Sequence, residues 1–311
     1  MTRRTRAAMV ATGLVFVATV PLAAQSLVYT GSLHFSTGDY IFSEPTHTWT
    51  LYNGLGVRME RLRLSLGMPL VLQNTWAGTY VGGSAIPTGG PDYRLVRQRV
   101  GGGRIPMTSR RGSSGRGTGR MSVQLPSVVD TVAGPGDYEL DLADPLLSGT
   151  VELYRGWSLL RSVEITAAAR APIRSIDSGV GTGEWDVGGG ASLALGFGRV
   201  LVFGDASYWR YGDLPDMELI DGMSYAAAVG FPIGSESSLM ASYSGSERII
   251  GTVDPYAMLT ISGSRNVGEA KALTAGVGIG LSEASPHVSV FMGWRFGLAD
   301  TRRNSSIART N

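Results

Sequence analysis

Cysteine is absent from all 311 residues. That excludes disulfide stapling, thiol catalysis, a Cys-ligated metal and an N-terminal lipidated cysteine. Lysine is almost absent as well: Lys271 is the single one, so arginine carries the positive charge. Charged residues make up 17% of the chain and the formal net charge is +2, so the overall balance says little about partners. Only three histidines occur. Beyond the N-terminus no stretch is apolar enough for a transmembrane helix.

The N-terminus has the order of a secretory signal. Arg3, Arg4 and Arg6 form a basic start, and an apolar run follows from Ala7 to Val20. Pro21 breaks the run, and Leu22-Ala23-Ala24 offers a cleavage site after Ala24, with Leu22 larger than that position usually holds. Residues 1–24 are therefore expected to be a signal peptide. An uncleaved membrane anchor is the alternative; the shortness of the run and its Thr, Gly and Pro oppose it.

What the chain has in plenty is glycine, 44 residues, and strict alternation. In Glu184 to Phe197 the odd positions Trp185, Val187, Ala191, Leu193, Leu195 and Phe197 are apolar. The even positions Glu184, Asp186, Gly188, Gly190 and Ser192 are small, polar or acidic. Period two marks a β-strand with two different environments. The pattern returns at Leu27–Phe35, at Thr48–Arg58 and most cleanly at Arg61–Gln73, where Pro69 removes a ladder donor. It resumes near Leu146 and continues to Phe296. The count is about twelve strands of roughly ten residues, an even number that suits tilted membrane-spanning strands. Tight turns fall at Met59-Glu60, Gly156-Trp157, Gly198, Gly234-Ser235 and Asn266-Gly268. Longer loops fall at 36–47, 74–145, 173–183, 211–221, 248–254 and 282–286.

Short turns on one rim and long loops on the other predict an all-β fold: a closed antiparallel transmembrane β-barrel with both termini periplasmic. A soluble sandwich would also alternate. It would not so readily place Trp185, Phe197, Tyr225, Phe231, Tyr243, Trp294 and Phe296 at the ends of apolar faces, where interfacial girdles sit. The expected barrel spans 25–298, with a Gly/Arg-rich insert at 82–136 and a polar tail at 299–311. The insert carries Arg94, Arg97, Arg99, Arg104, Arg110, Arg111, Arg116 and Arg120 without an intervening acid. Asp130, Asp137, Glu139, Asp141 and Asp144 follow it. Such a run fits lipopolysaccharide phosphates, an inward plug, pairing with those acids, or a solvated disordered loop. The location argues against nucleic acid as its partner.

Three stretches carry a family resemblance: GTGEWDVGGGASLALGFGRVLVFGDASYWRYGD, GMSYAAAVGFPI and SPHVSVFMGWRFGL. Over residues 145–298 the chain resembles putative outer-membrane transporters of the phenol-degradation (MetA-type) pathway family. The resemblance implies a barrel that passes small, often aromatic, molecules, and it brings no established catalytic residues. Two features depart from the family. A polar tail, Gly297 to Asn311, follows Phe296, and the arginine-rich insert has no counterpart role.

The candidate site is the lumen. Small inner-face residues (Gly188, Gly190, Ala226, Gly230, Gly276, Gly278 and Gly280) are expected to leave interior space. Glu152, Glu164, Asp186 and Asp205 are expected to project inward from four successive strands, with Arg58, Arg61, Arg63 and Arg295 on an opposing wall. The two sets would either set up a transverse field or form local ion pairs. His34, His47 and His287 are candidate metal ligands if the loops bring them together. Ser289 near His287 is the only hint of a hydrolase, and it lacks an orienting acid. Phosphate-loop-like spacings at Gly181–Gly190 and Gly276–Gly280 are not followed by a helix.

The expectation is therefore a channel in the bacterial outer membrane, passing small solutes, apolar or aromatic among them, by passive diffusion. It has no catalytic residues and no cofactor. Its expected partners are outer-membrane lipid, lipopolysaccharide, the barrel-assembly machinery and the solute. An outer-membrane hydrolase and an adhesive barrel acting through its long loop are the alternatives.

Overall fold

The computed structural model describes residues 26–40, 45–74, 79–81, 84–86, 138–173, 183–213, 218–251 and 253–300. The expected signal segment 1–24, nearly all of the expected 82–136 insert and residues 301–311 lie outside them. Every regular element among the described residues is a strand. In chain order these are β1 (Ser26–Gly38), β2 (Thr46–Met59), β3 (Leu62–Gln73), β4 (Thr79–Val81), β5 (Ser84–Ile86), β6 (Glu139–Leu142), β7 (Leu146–Arg155) and β8 (Leu160–Arg170). Then follow β9 (Asp186–Phe197), β10 (Val200–Arg210), β11 (Gly222–Ile233), β12 (Ser237–Ser246), β13 (Ala257–Gly268), β14 (Lys271–Gly280) and β15 (Val288–Asp300).

Twelve of them form one closed antiparallel wall. Each pairs with its neighbours in chain order. β1 pairs with both β2 and β15, and β3 pairs with both β2 and β7. β6 continues the line of β7 along β3, and β4–β5 is a separate two-stranded hairpin. Closure leaves no unpaired edge, which a wall immersed in lipid cannot carry. Wall strands run from 10 residues (β7) to 14 (β2), the length a tilted bilayer crossing needs.

The alternation holds around the ring. Leu193 pairs with Gly204 and Val163, Val229 with Val202 and Ala241, and Val277 with Ile261 and Val290, all on the outer face. Outer-face side chains stay exposed although apolar: Leu193 by 43%, Ile261 by 52%, Val277 by 51%. Apolar surface that finds no protein partner needs lipid. Aromatic rings flank this band near both rims. Tyr225 stacks on Tyr243 (6.3 Å) and Phe35 meets Trp49 (4.7 Å) near the long-loop rim; Tyr29 stacks on Phe296 (6.3 Å) near the short-turn rim. Asn53 is polar and outward, and its side-chain oxygen accepts the Tyr29 hydroxyl at 2.7 Å.

Gly198 (φ 63°) and Gly234 (φ 69°) close two short turns in the left-handed region that glycine adopts without strain. Pro69 is accommodated by position. Its carbonyl accepts Ala143 N at 2.9 Å, so its missing N–H faces the break between β6 and β7 and no ladder bond is lost. Several details differ from the sequence reading. β15 runs two residues past 298, to Asp300. A bulge after Glu152 pairs Tyr154 with the outward Val163, so Tyr154 joins the lipid face rather than the inner face the plain alternation assigns it.

Leu193→Arg is expected to lower the unfolding free energy in phospholipid vesicles by ~2–4 kcal/mol, the cost of a guanidinium at mid-wall. Ser192→Arg, its inner-face neighbour, leaves stability nearly unchanged. Urea titration followed by tryptophan fluorescence measures both, and equal losses would mean that the two faces meet the same solvent.

Candidate functional site

The inner face is not uniform along the barrel axis. Buried side chains gather at the long-loop end: Tyr40, Val71, Trp209, Tyr211, Leu219, Ile250 and Val253 are each at most 8% exposed. Loop carboxylates hold backbone N–H groups there. Asp221 accepts Tyr211 N (2.9 Å), Asp213 accepts Leu219 N (2.9 Å) and Asp144 accepts Ile173 N (2.9 Å). Ser285 Oγ accepts Ala257 N (2.9 Å) and donates to Ala257 O (2.7 Å), tying the loop after β14 to β13. Burial raises the Tyr211 phenol to about 12, and its ring stacks near Trp209 at 6.4 Å.

Asp186 anchors this end. It is fully buried, and its two oxygens have separate tasks. Oδ2 pairs with Arg170 Nη1 at 2.7 Å, and Oδ1 accepts Gly212 N at 2.8 Å. The pair sits in register across β8 and β9 and draws the loop after β10 over the lumen. Sequence reading singled out Asp186 and missed Arg170. The long connection between β8 and β9 hides the register that sets them opposite each other.

The expectation of interior space at the glycines needs correction. A Cβ at Gly188 would lie 2.4 Å from the Trp209 ring, and one at Gly276 would lie 2.6 Å from Phe291. At Gly280 it would meet Pro286 O at 2.1 Å, and at Gly278 Ser289 Oγ at 2.6 Å. Much of the room made by these glycines is therefore taken by side chains and loop backbone folded onto them. Gly67 does the same for Tyr52.

The charges follow opposing walls only in part: β10, with Asp205, stands across the ring from β2 and β15, but the acids of β7 and β8 do not. β2, β3, β7 and β8 are consecutive in the ring, so the arginines of β2 and β3 adjoin the acids of β7 and β8. Arg63 pairs with Glu164, and Glu152 with Arg155. Arg58, Arg61 and Arg295 are exposed at the short-turn end. Asp205 points inward from β10 beside Ser192 and Ala226 and is exposed as well.

The three histidines do not meet. His34 faces the lumen, stacked on Phe291 at 5.2 Å and within 3.0 Å of Ser32 Oγ. His47 belongs to β2 rather than to the first loop, and it lies outward against Phe35. His287 precedes β15 in an exposed bend rather than on its inner face. Among the described residues no group of three His, Cys, Asp or Glu can hold a metal ion. Ser289 Oγ is directed at Met258 Sδ (3.8 Å), not at an imidazole.

Fold and lumen together define a closed transmembrane β-barrel. No family model matches the chain, and no curated protein matches it. Among solved structures it resembles an outer membrane channel from Pseudomonas putida F1 with a TM-score of 0.56 at 12% identity, covering 88% of this chain and 96% of that one. It also aligns with the CymD monoaromatic hydrocarbon channel (TM-score 0.41, 8% identity, 92% of each chain). Outer membrane phospholipase A from Escherichia coli aligns as well (0.39, 12%, 89% of this chain and 93% of that one). The first likeness establishes the fold; the other two are too distant to carry an argument.

Asp186→Ala leaves Arg170 buried without its partner, and it is expected to cost ~3 kcal/mol of unfolding free energy. The paired change Arg170→Met with Asp186→Leu restores most of that loss. Urea unfolding in detergent micelles reads both, and a single-variant loss below ~1 kcal/mol would show that the pair does not anchor the loop end.

Proposed function

We propose that this protein is an outer-membrane channel through which small solutes, apolar and aromatic ones among them, diffuse passively. One observation carries the reading. Arg58, Asp205 and Arg295 lie on the inner face of a closed wall and are nevertheless exposed, so the lumen is a solvated space enclosed by an apolar exterior. A packed barrel would bury or pair such groups. Phe203 lines the same space from β10, 36% exposed, and offers an apolar contact to a passing ring.

The short-turn rim, which also holds Ser26 and Asp300, faces the periplasm in this reading, and the carboxylate-pinned loops face the exterior. Lipid and lipopolysaccharide contact the aromatic rims, and insertion depends on the barrel-assembly machinery. Ser32 Oγ lies 3.0 Å from His34 Nε2 on the inner face, but among the described residues no carboxylate orients that imidazole, which favours passage over hydrolysis. The loops over the long-loop end act as the adjustable part of the path. Asp186 and Asp221 hold the loop after β10, so relaxing them widens the lumen.

Reconstituted protein is expected to show heat-modifiable migration, discrete conductance in planar bilayers and swelling of liposomes in small solutes. Asp186→Ala, which removes the acceptor, is expected to raise the open probability several-fold by releasing Gly212. Folded protein that neither conducts nor admits solute would refute the channel reading.

A further inference from the structure

Arg58 and Arg63 lie directly opposite each other on β2 and β3, both inward. Like charges in that position repel and oppose strand pairing. Glu164 relieves Arg63 alone, and Glu152 is taken by Arg155. Among the described residues Arg58 has no acid within ion-pair distance, and neither has Arg61 at the adjoining turn nor Arg295 on β15. Three exposed guanidinium groups thus gather around β15, β1, β2 and the start of β3, at the short-turn end of the lumen.

The wall beside these arginines is also bare. Unlike Gly188, Gly276 and Gly67, which carry aromatic rings, Gly56 would give a Cβ no contact closer than 3.6 Å, and Gly293 none closer than 3.5 Å. Gly56 is two residues from Arg58 on β2, and Gly293 two residues from Arg295 on β15, each pair on one inner face. Tyr52 stands further up β2, its ring lying over Gly67. Measured along β1, Arg58 lies level with Ser26, Gly56 with Val28 and Arg295 with Thr30, so Gly56 is the bare wall between the two guanidinium groups, and Gly293 lies further up, level with Ser32 and Tyr52.

We propose that this patch is a lumenal binding subsite for a small aromatic carboxylate, its carboxylate held by Arg58 and Arg295 and its ring lying over Gly56. A guanidinium fork matches a carboxylate in two parallel N–H···O bonds, and a bare backbone floor accepts a flat ring. The occupant also relieves the repulsion between Arg58 and Arg63. The inference deepens the channel reading, because it names a solute class for the same lumen.

Binding is measured on folded protein in detergent, so that it does not depend on conductance. Sodium benzoate is the probe, benzyl alcohol its neutral counterpart and sodium phosphate the anion without a ring. The wild type is expected to bind benzoate in preference to both, with affinity falling as salt rises. Arg58→Gln with Arg295→Gln is expected to weaken benzoate binding about tenfold, and the corresponding pair of Lys substitutions to retain part of it. Gly56→Leu, which fills the floor and keeps every arginine, is expected to weaken benzoate and leave phosphate unchanged. Heat-modifiable migration shows that each variant is folded. The proposal fails if the wild type does not prefer benzoate to benzyl alcohol, or if the Gln variant binds benzoate within twofold of the wild type. Conductance without benzoate preference overturns the subsite and spares the channel; benzoate preference without conductance does the reverse.

Discussion

A β-sheet in lipid must pair every backbone donor and acceptor within itself, and much of this structure follows from that constraint. The β1–β15 ladder joins the chain's first and last described strands over twelve residue pairs and closes the wall. Where the sheet is interrupted, at Ala143–Pro145, the partner strand presents Pro69, whose nitrogen has nothing to donate. The bulge after Glu152 follows the same logic. It keeps β7 paired while turning Tyr154 outward, so the ladder is preserved at the expense of strict alternation. Outward Asn53 is tolerated because Tyr29 satisfies its oxygen beside it.

Once the wall is closed, its interior is a problem of filling. Twelve strands enclose more space than their own small inner side chains occupy. At the long-loop end that space is filled by pairing a glycine on one strand with a ring on the next: Gly188 with Trp209, Gly276 with Phe291. Each glycine removes a Cβ where the ring must lie, and each ring covers backbone that glycine would leave exposed. Glycine in this chain therefore has two opposite uses. In most inner positions it seats a side chain, and at Gly56 and Gly293 it leaves the wall bare.

That distinction explains which parts could be read from the sequence. Period two is local, so the outer face from Leu62 to Leu72, or from Trp185 to Phe197, is legible one strand at a time. Whether Gly188 is a vacancy or a seat depends on Trp209, twenty-one positions on, and on the register of the turn at Gly198. The Arg170–Asp186 pair depends on a connection whose register no local pattern encodes. His47 looked like loop because β2 begins earlier than the alternation suggests. Its backbone N–H, held by Asn74 at 2.7 Å, extends the ladder past the apolar residues. Inward orientation followed from alternation; partnership did not, because it requires knowing which strands become neighbours.

The same neighbour relations decide how the lumen's charge is organised. The arginines of β2 and β3 might have faced the acids of β7 and β8 across an open pore, but the ring places those strands side by side. Adjacent opposite charges collapse into pairs, as Arg63 and Glu164 do, and a transverse field is lost. What survives is unpaired charge at one end and engaged carboxylates at the other. Asp186, Asp221, Asp213 and Asp144 are held by backbone N–H groups at the long-loop rim, while Arg58, Arg61 and Arg295 stand exposed near the short-turn rim. Apart from Asp205, exposed on β10 across the ring, the polarity therefore runs along the axis. An axial gradient acts on a solute's direction of travel and draws anions toward the short-turn end, where a transverse field would only have turned them.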